Sequence, residues 1–377
     1  MPAMPSSAEW RNFSRNDAAG DWLRKQPEKS TSQTMKSNAK SITAEACCRV
    51  DLAGGTLDIW PLYLFHPGAV TVNFGVDVMT CCRITERPGK KIHLRSTDTG
   101  VEDQFGSLSD LLAAKRYHHA VGAYLVRFFM PERGFLLETD SQSPAGAGIS
   151  GSSALMIATT AALARFCDLK LARGAIRQIA QNVEAQVINV PTGCQDYFPA
   201  LYGGVNAIEL RVDGLHRHAI EVSAADLDSR FVLAYTGAPR QSGINNWEVF
   251  KAHIQGDRKV FRNFEEIGEI ARAMRIALET PDWPEAANCM KEEWQLRRTN
   301  ARGISTPVIE KIMGIARKNG AVAAKVCGAG GGGCVVFLVE PGSRERVAEA
   351  IRGSGTGARI MECRVARRGL KLRETNV

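Results

Sequence analysis

The chain has 377 residues, 44% hydrophobic and 23% charged, which suits a packed globular protein of two domains better than one. A formal charge of +8 and a pI near 9.0 favour anionic partners such as nucleotides or phosphosugars. No helix-turn-helix, zinc-finger or aromatic-basic stacking pattern accompanies that charge, and no apolar run approaches the roughly 20 residues that cross a bilayer, so neither nucleic acid nor a membrane is an expected partner.

Met1–Ser41 is polar, with apolar side chains only around Trp10, Phe13, Trp22 and Leu23. It lacks the apolar core of a signal peptide and is expected to be a flexible extension. Order is expected from Ile42, with a strand over 46–53 entering the Gly54–Gly55 turn. Residues 69–84 are β-rich, with Gly75 as a bulge. Residues 108–130 carry helix-spaced apolar positions, from Leu111 to Phe129. A strand over 135–139 leads into a Gly-rich loop, Pro144–Gly151, followed by helices over 152–166 and 173–188. Strands are expected at 203–210 and 231–235. The second half is helix-rich, over 246–255, 259–278, 284–298 and 307–319, the last capped by Thr306 with Pro307 behind it. Strands over 321–327 and 334–339 flank a second Gly-rich loop, and a helix over 343–352 follows. This order predicts an α+β fold and not a doubly wound sheet.

The ten cysteines include two adjacent pairs, Cys47–Cys48 and Cys81–Cys82, but no CxxC or Cys/His ladder. Free, mostly buried thiols in a reducing cytoplasm are expected, and zinc is not. The last residues are dense in Arg and Lys, from Arg364 to Arg373, and read as a solvated basic surface.

Two loops carry the chemistry. In Ser143–Leu155, SPAGAGISGSSAL, the residues Gly146, Gly148 and Gly151 let the backbone approach a ligand closely, and Ser152 and Ser153 open a helix. The unpaired first-turn N–H groups of a helix, at its positive dipole end, bind phosphate, and a serine hydroxyl there reaches a phosphate or its Mg²⁺. No Lys follows the glycines, so this is not a P-loop. Gly146, Gly148 and Gly151 match GxGxxG, but a helix and then a second helix follow where a dinucleotide-binding unit needs a strand and an acidic residue. The second loop, Cys327–Cys334, is CGAGGGGC. So many glycines cost folding entropy, and a backbone sliding under a substrate explains them better than packing does.

Three segments together resemble the signature motifs of the GHMP kinases. Arg49–Asp58 (RVDLAGGTLD) is similar to the N-terminal substrate motif, Pro144–Ala154 to the phosphate loop, and Lys325–Cys334 (KVCGAGGGGC) to the C-terminal Gly-rich motif. Pro191–Asp196 (PTGCQD), the Gly203–Gly204 pair and Thr236–Arg240 (TGAPR) resemble the sugar-kinase branch that includes galactokinase and heptose 7-phosphate kinase.

The resemblance implies a two-lobed fold. An S5-domain-2-like lobe would cover 42–230 and a ferredoxin-like lobe 231–377. It implies an enzyme that moves the terminal phosphate of ATP, with Mg²⁺, onto a hydroxyl of a sugar or sugar phosphate. By the same resemblance Asp196 is the catalytic carboxylate, with Arg49 as the cation beside it. Pro144, Gly146, Ala147, Gly148, Ile149, Ser150, Gly151, Ser152 and Ser153 would form the nucleotide loop, and Ser152 and Glu184 would hold the metal. Asp58, Gly55, Arg240, Gly330 and Gly331 would meet the acceptor, with Arg297 or Arg298 as further phosphate grips. The protein would be a monomer or homodimer. One departure stands out: Gly151 occupies the position of the family's first loop serine, which removes a hydroxyl and keeps the backbone N–H. The competing readings are an isoprenoid-pathway kinase or decarboxylase on the same fold, a catalytically silent ligand sensor, and a nicotinamide-dependent oxidoreductase.

Overall fold

The structure is a computed structural model that describes residues 40–239 and 242–376. The expected extension over 1–41 thus lies outside the described residues, apart from Lys40 and Ser41. These two open a strand.

The first sheet begins with β1 (Lys40–Ala53), β2 (Val70–Arg87), β3 (Ile92–Ser96) and β4 (Glu102–Phe105), and continues with β5 (Gly134–Ser141), β6 (Val205–Arg211) and β7 (Gly214–Ile220). The second sheet holds β8 (Phe231–Tyr235), β9 (Ala321–Val326), β10 (Cys334–Val339) and β11 (Arg359–Met361) in the order β11-β8-β10-β9, antiparallel throughout. The last strand, β12 (Lys371–Asn376), returns to the first sheet and pairs with β1. Expected as part of a second lobe over 231–377, this strand lies instead where Lys40 and Arg165 both reach Glu374.

The order of the first sheet is β12-β1-β2-β5-β3-β4, with β6 on β2 and β7 on β6. One long strand makes this possible. The start of β2, Val70–Phe74, pairs with β6, while its end, Thr80–Arg87, pairs with β5 on the same side. Between them the β1–β2 register shifts at Cys47/Cys48, leaving Asp77 and Val78 extra on β2. The irregularity expected at Gly75 therefore falls just beyond it. Gly75 stays in register opposite Arg49, and a side chain there would press on Cys47 Sγ and on the backbone of Gly203 and Ala366.

The helix Gly151–Phe166 packs on β1 and β2 and is buried nearly all round, because the helix Arg173–Ile188 covers its outer side. Its run of small residues suits that double contact. The helix expected over 108–130 is two helices, Leu108–Ala113 and Ala120–Phe129. The Ser107 side chain caps the first by accepting from Asp110 N–H, and the His119 ring caps the second by accepting from Gly122 N–H. The helices Trp283–Arg297 and Pro307–Lys318 fall where expected, with Thr306 Oγ1 accepting from Ile309 N–H. Mostly antiparallel sheets with segregated helices make this an α+β fold, and the single parallel pair among the described residues, β3 with β5, rules out a doubly wound one. Among the described residues no helix is long and apolar enough to cross a membrane.

Candidate active site

A cavity of about 370 Å³ lies where β1, the loop after β5, the segment 190–196 and the second Gly-rich loop converge. The first Gly-rich loop forms one wall. Gly146 and Gly148 take φ of +70° and +78°, and Ser150, at +62°, turns the chain into the helix. The first helical bond runs from Ala154 N–H to Ser150 O (2.9 Å), which leaves the N–H groups of Gly151, Ser152 and Ser153 outside the helical ladder at the cavity. The Ser150 side chain makes no cap bond, and its Oγ is buried without a partner among the described residues. The loop is pinned from behind. Arg49 N–H bonds to Ile149 O (2.9 Å), Arg49 Nη1 to Gly148 O (2.7 Å), and Cys334 N–H to Ala147 O (2.7 Å). Ile149 itself does not line the cavity: its side chain belongs to the core.

The structure explains Gly151. A Cβ built there would sit 2.8 Å from both Cβ and Oγ of Ser143. The space that a serine would take at 151 is already occupied, and Ser143 also lines the cavity. Gly151→Ser alone is expected to destabilise the protein by about 1–3 kcal/mol, as overpacking does. Adding Ser143→Gly should recover most of that loss. Thermal denaturation of the single and double variants checks it, and a neutral single variant would show that the site relaxes freely.

Asp196 stands opposite this loop, between segment 191–195 and the short helix Tyr197–Tyr202. Arg49 Nε (2.8 Å) and Nη2 (2.7 Å) both reach Asp196 Oδ1, so Oδ2 has no protein partner among the described residues. Arg49 is buried, and its third nitrogen holds the first Gly-rich loop at Gly148 O, so one side chain joins the carboxylate to the loop.

Asp58 is also buried at the cavity. Its Oδ2 accepts from Gln195 N–H (2.8 Å), and Asn73 Nδ2 donates to Gln195 Oε1 (3.1 Å). A Cβ on Gly193 would lie 2.3 Å from that same Oδ2, so the TGCQD segment needs its glycine to close over Asp58. Burial, and then the Asp196 carboxylate, push Asp58 up to about 7 against the pull of the Gln195 N–H. A carboxyl whose pKa is raised on folding stabilises the fold below its unfolded pKa, and that contribution is lost as pH rises through the folded value. The parent should therefore lose more stability between about pH 4 and 7 than Asp58→Asn does. Equal slopes in thermal denaturation against pH would overturn this.

Glu184, on the helix Arg173–Ile188, is buried and accepts from Tyr197 Oη (2.7 Å). Burial raises its pKa, against hydrogen bonds from Tyr197, Ser152 and Ser153. A buried carboxylate with two serine hydroxyls beside it, at the open N-terminal end of a helix, is a hard-oxygen set suited to Mg²⁺.

The second Gly-rich loop divides. Gly328 and Ala329 line the cavity, whereas Gly330 and Gly331, expected at the acceptor, pack away from it against Ile304. Gly331 N–H bonds to Ile304 O (2.8 Å), and a Cβ on Gly333 would meet the carbonyls of Ala147 and Gly146. Its glycines thus let this loop dock on the first. Arg297 is buried and bound to Glu293 and Gly55 O, so it is no phosphate grip, and Arg298 pairs with Glu310 (3.1 Å) outside the cavity. Arg240 lies outside the described residues. Gly55 and Asp58 line the cavity as expected. Sequence reasoning missed Asp51, Thr56, Asp98, Gln195 and Asn246 as cavity residues. Asp51, Thr56 and Gln195 sit inside motifs already singled out. Asp98 and Asn246 carry no local signal.

The profile for the GHMP kinases N terminal domain matches residues 112–204, and the profile for the GHMP kinases C terminal matches 274–356. A D-glycero-alpha-D-manno-heptose 7-phosphate kinase from Campylobacter jejuni is 28% identical over 320 residues, covering 83% of this chain and 94% of its own. A mevalonate kinase from Pyrococcus furiosus is 25% identical over 290 residues, covering 76% of this chain and 83% of its own. The crystal structure of a D-glycero-D-manno-heptose 1-phosphate kinase from Bacteroides thetaiotaomicron superposes with a TM-score of 0.69 at 22% identity, covering 88% of this chain and 98% of that one.

Proposed function

The chain belongs to the GHMP kinases, ATP-dependent phosphotransferases that act on a hydroxyl, and from that premise we propose that its acceptor is a sugar or sugar phosphate. One observation carries the reading. A single cavity joins the phosphate-loop N–H groups to Asp196 and to a wall of hydrogen-bonding side chains, namely Thr56, Asp58, Gln195 and Asn246. Such a wall matches the several hydroxyls of a sugar.

Phosphoryl transfer needs positioning and charge neutralisation more than covalent help. The N–H groups of Gly151–Ser153 hold the phosphates of ATP. Asp196 Oδ2 takes or orients the proton of the attacking hydroxyl, while Arg49 keeps Oδ1 occupied and fixes the carboxylate plane. Asp58 receives a sugar hydroxyl. Glu184 and Ser152 would hold Mg²⁺, which supplies neutralisation of the phosphate charge. We take 42–230 with β12 as the first lobe and 231–370 as the second.

An ATP-consumption screen over free sugars, hexose and heptose phosphates, and mevalonate tests the reading. Turnover with a sugar or sugar phosphate is the expected result. Turnover with mevalonate alone moves the chain to the isoprenoid reading, and ATP binding without turnover on any acceptor makes it a sensor.

A further inference from the structure

Beneath the Gly54–Gly55 turn lie four charged side chains, all buried: Asp51 on β1, Lys325 on β9, and Glu293 and Arg297 on the helix Trp283–Arg297. Lys325 Nζ lies 3.2 Å from Asp51 Oδ2 and 3.1 Å from Glu293 Oε1. Arg297 Nε donates to Glu293 Oε1 (2.9 Å), and its Nη2 also pairs with that oxygen and stands 3.7 Å from Asp51 Oδ2. Two positive and two negative charges balance. Burying four charges is expensive, and a packed apolar cluster of equal volume would hold these elements together as well or better. Stability alone is therefore a poor account of the cluster.

Arg297 shows what the cluster reaches. Its Nη2 donates to Gly55 O (2.9 Å) and its Nη1 to Thr56 Oγ1 (3.1 Å). Thr56 takes φ of +71°, a left-handed conformation rare for a β-branched residue. Such a conformation persists only where its surroundings over-determine it. Gly55 is equally confined. A Cβ there would lie 2.5 Å from Asp51 Oδ2, 2.8 Å from Gln195 Nε2 and 3.1 Å from Arg297 Nη2. The turn closes with Ile59 N–H on Thr56 O (3.2 Å), and Cys194 N–H bonds to Asp58 O (3.3 Å). A clamp on Thr56 thus sets Asp58 and, through residues 193–195, the approach to Asp196.

We propose that the Asp51–Lys325–Glu293–Arg297 cluster is a positioning device for the acceptor: it holds the strained Gly55–Thr56 turn so that Thr56 and Asp58 meet the acceptor beside Asp196. None of the four needs to touch the transferred phosphate. Their effect falls on acceptor binding and not on ATP.

Arg297→Lys tests this, since lysine keeps the charge beside Glu293 but cannot fork to Gly55 O and Thr56 Oγ1 at once. In the acceptor-free protein, amide exchange of Ile59 and Cys194 should quicken about tenfold while the helix Trp283–Arg297 stays protected. In turnover, KM for the acceptor should rise about tenfold with KM for ATP unchanged. Thr56→Val should reproduce the exchange effect in the acceptor-free protein and Thr56→Ser, which keeps the hydroxyl that Arg297 grips, should exchange like the parent, which covers the case of an Arg297 variant that fails to fold. The proposal is overturned if exchange rises equally across the helix and β9, if Ile59 and Cys194 do not change, or if both KM values move together. The kinetic arm rests on the kinase reading. If the parent phosphorylates no sugar, that reading falls and the exchange arm decides the proposal alone.

Discussion

Asp196→Asn is expected to lower kcat about a thousandfold, in the range that removal of a general base produces, while leaving the affinity for ATP unchanged. The geometry gives the reason. Arg49 already donates twice to Oδ1, so the Asn carbonyl will settle at that position and its amide will take the place of Oδ2. A hydrogen-bond acceptor aimed at the attacking hydroxyl then becomes a donor. The phosphate loop should stay in place, because its bonds from Arg49 run to Gly148 O and Ile149 O and not through the carboxylate. Arg49 does lose the charge of its partner while buried, so a moderate loss of thermal stability is expected as well. Nucleotide titration and thermal denataturation separate the two effects. A variant that binds ATP normally and still turns over at the parent's rate would remove Asp196 from the chemistry.

How far the sequence announced this site depends on the residue. The two Gly-rich loops were legible because the chain puts glycine where the backbone takes positive φ or is pressed by other backbone, as at Gly146, Gly148 and Gly333. The strongly periodic helices and the buried strands β8 and β10 were legible for the same reason: burial on one or both faces leaves a pattern in a short window. The short, half-exposed β4 and the half-buried, polar β7 left none. The basic β12 could not be assigned to the first sheet, since its partner β1 lies some 330 residues earlier and their pairing is visible only in three dimensions.

The buried charges failed in a more instructive way. Lys325 opens the second Gly-rich motif and Arg297 ends a helix, and both types are mostly exposed. Asp51, arriving from a distant strand, and Glu293, one turn before Arg297 on the same helix, together make their burial tolerable. The reading of Arg297 as a phosphate grip followed from charge alone. The reading of Gly330 and Gly331 as acceptor contacts followed from motif position alone. In both cases the protein had already used the group, for Gly55 O in the first and for packing on Ile304 in the second. Gly151 shows the reverse. It looked like a loss, and it is the residue that Ser143 leaves room for.

Glu184→Gln is expected to separate stability from activity in opposite directions. Glutamine has the shape of the protonated acid. Because burial raises the pKa of Glu184, its ionised form weakens the fold as pH rises through the raised value, and the neutral amide removes that loss. The variant should therefore unfold at the same temperature as the parent or higher at neutral pH, provided the Gln carbonyl still accepts from Tyr197 Oη. Activity should fall about a hundredfold, the scale on which losing one preorganised electrostatic partner acts. The Mg²⁺ concentration for half-maximal rate should rise with it, since a neutral amide is a weaker ligand for a hard cation than a carboxylate. Asp196→Asn should leave that Mg²⁺ requirement unchanged, so the two variants distinguish holding the metal from handling the proton. If Glu184→Gln lowers the unfolding temperature and the rate together with no change in Mg²⁺ dependence, then Glu184 only braces Tyr197 and the helix behind the phosphate loop.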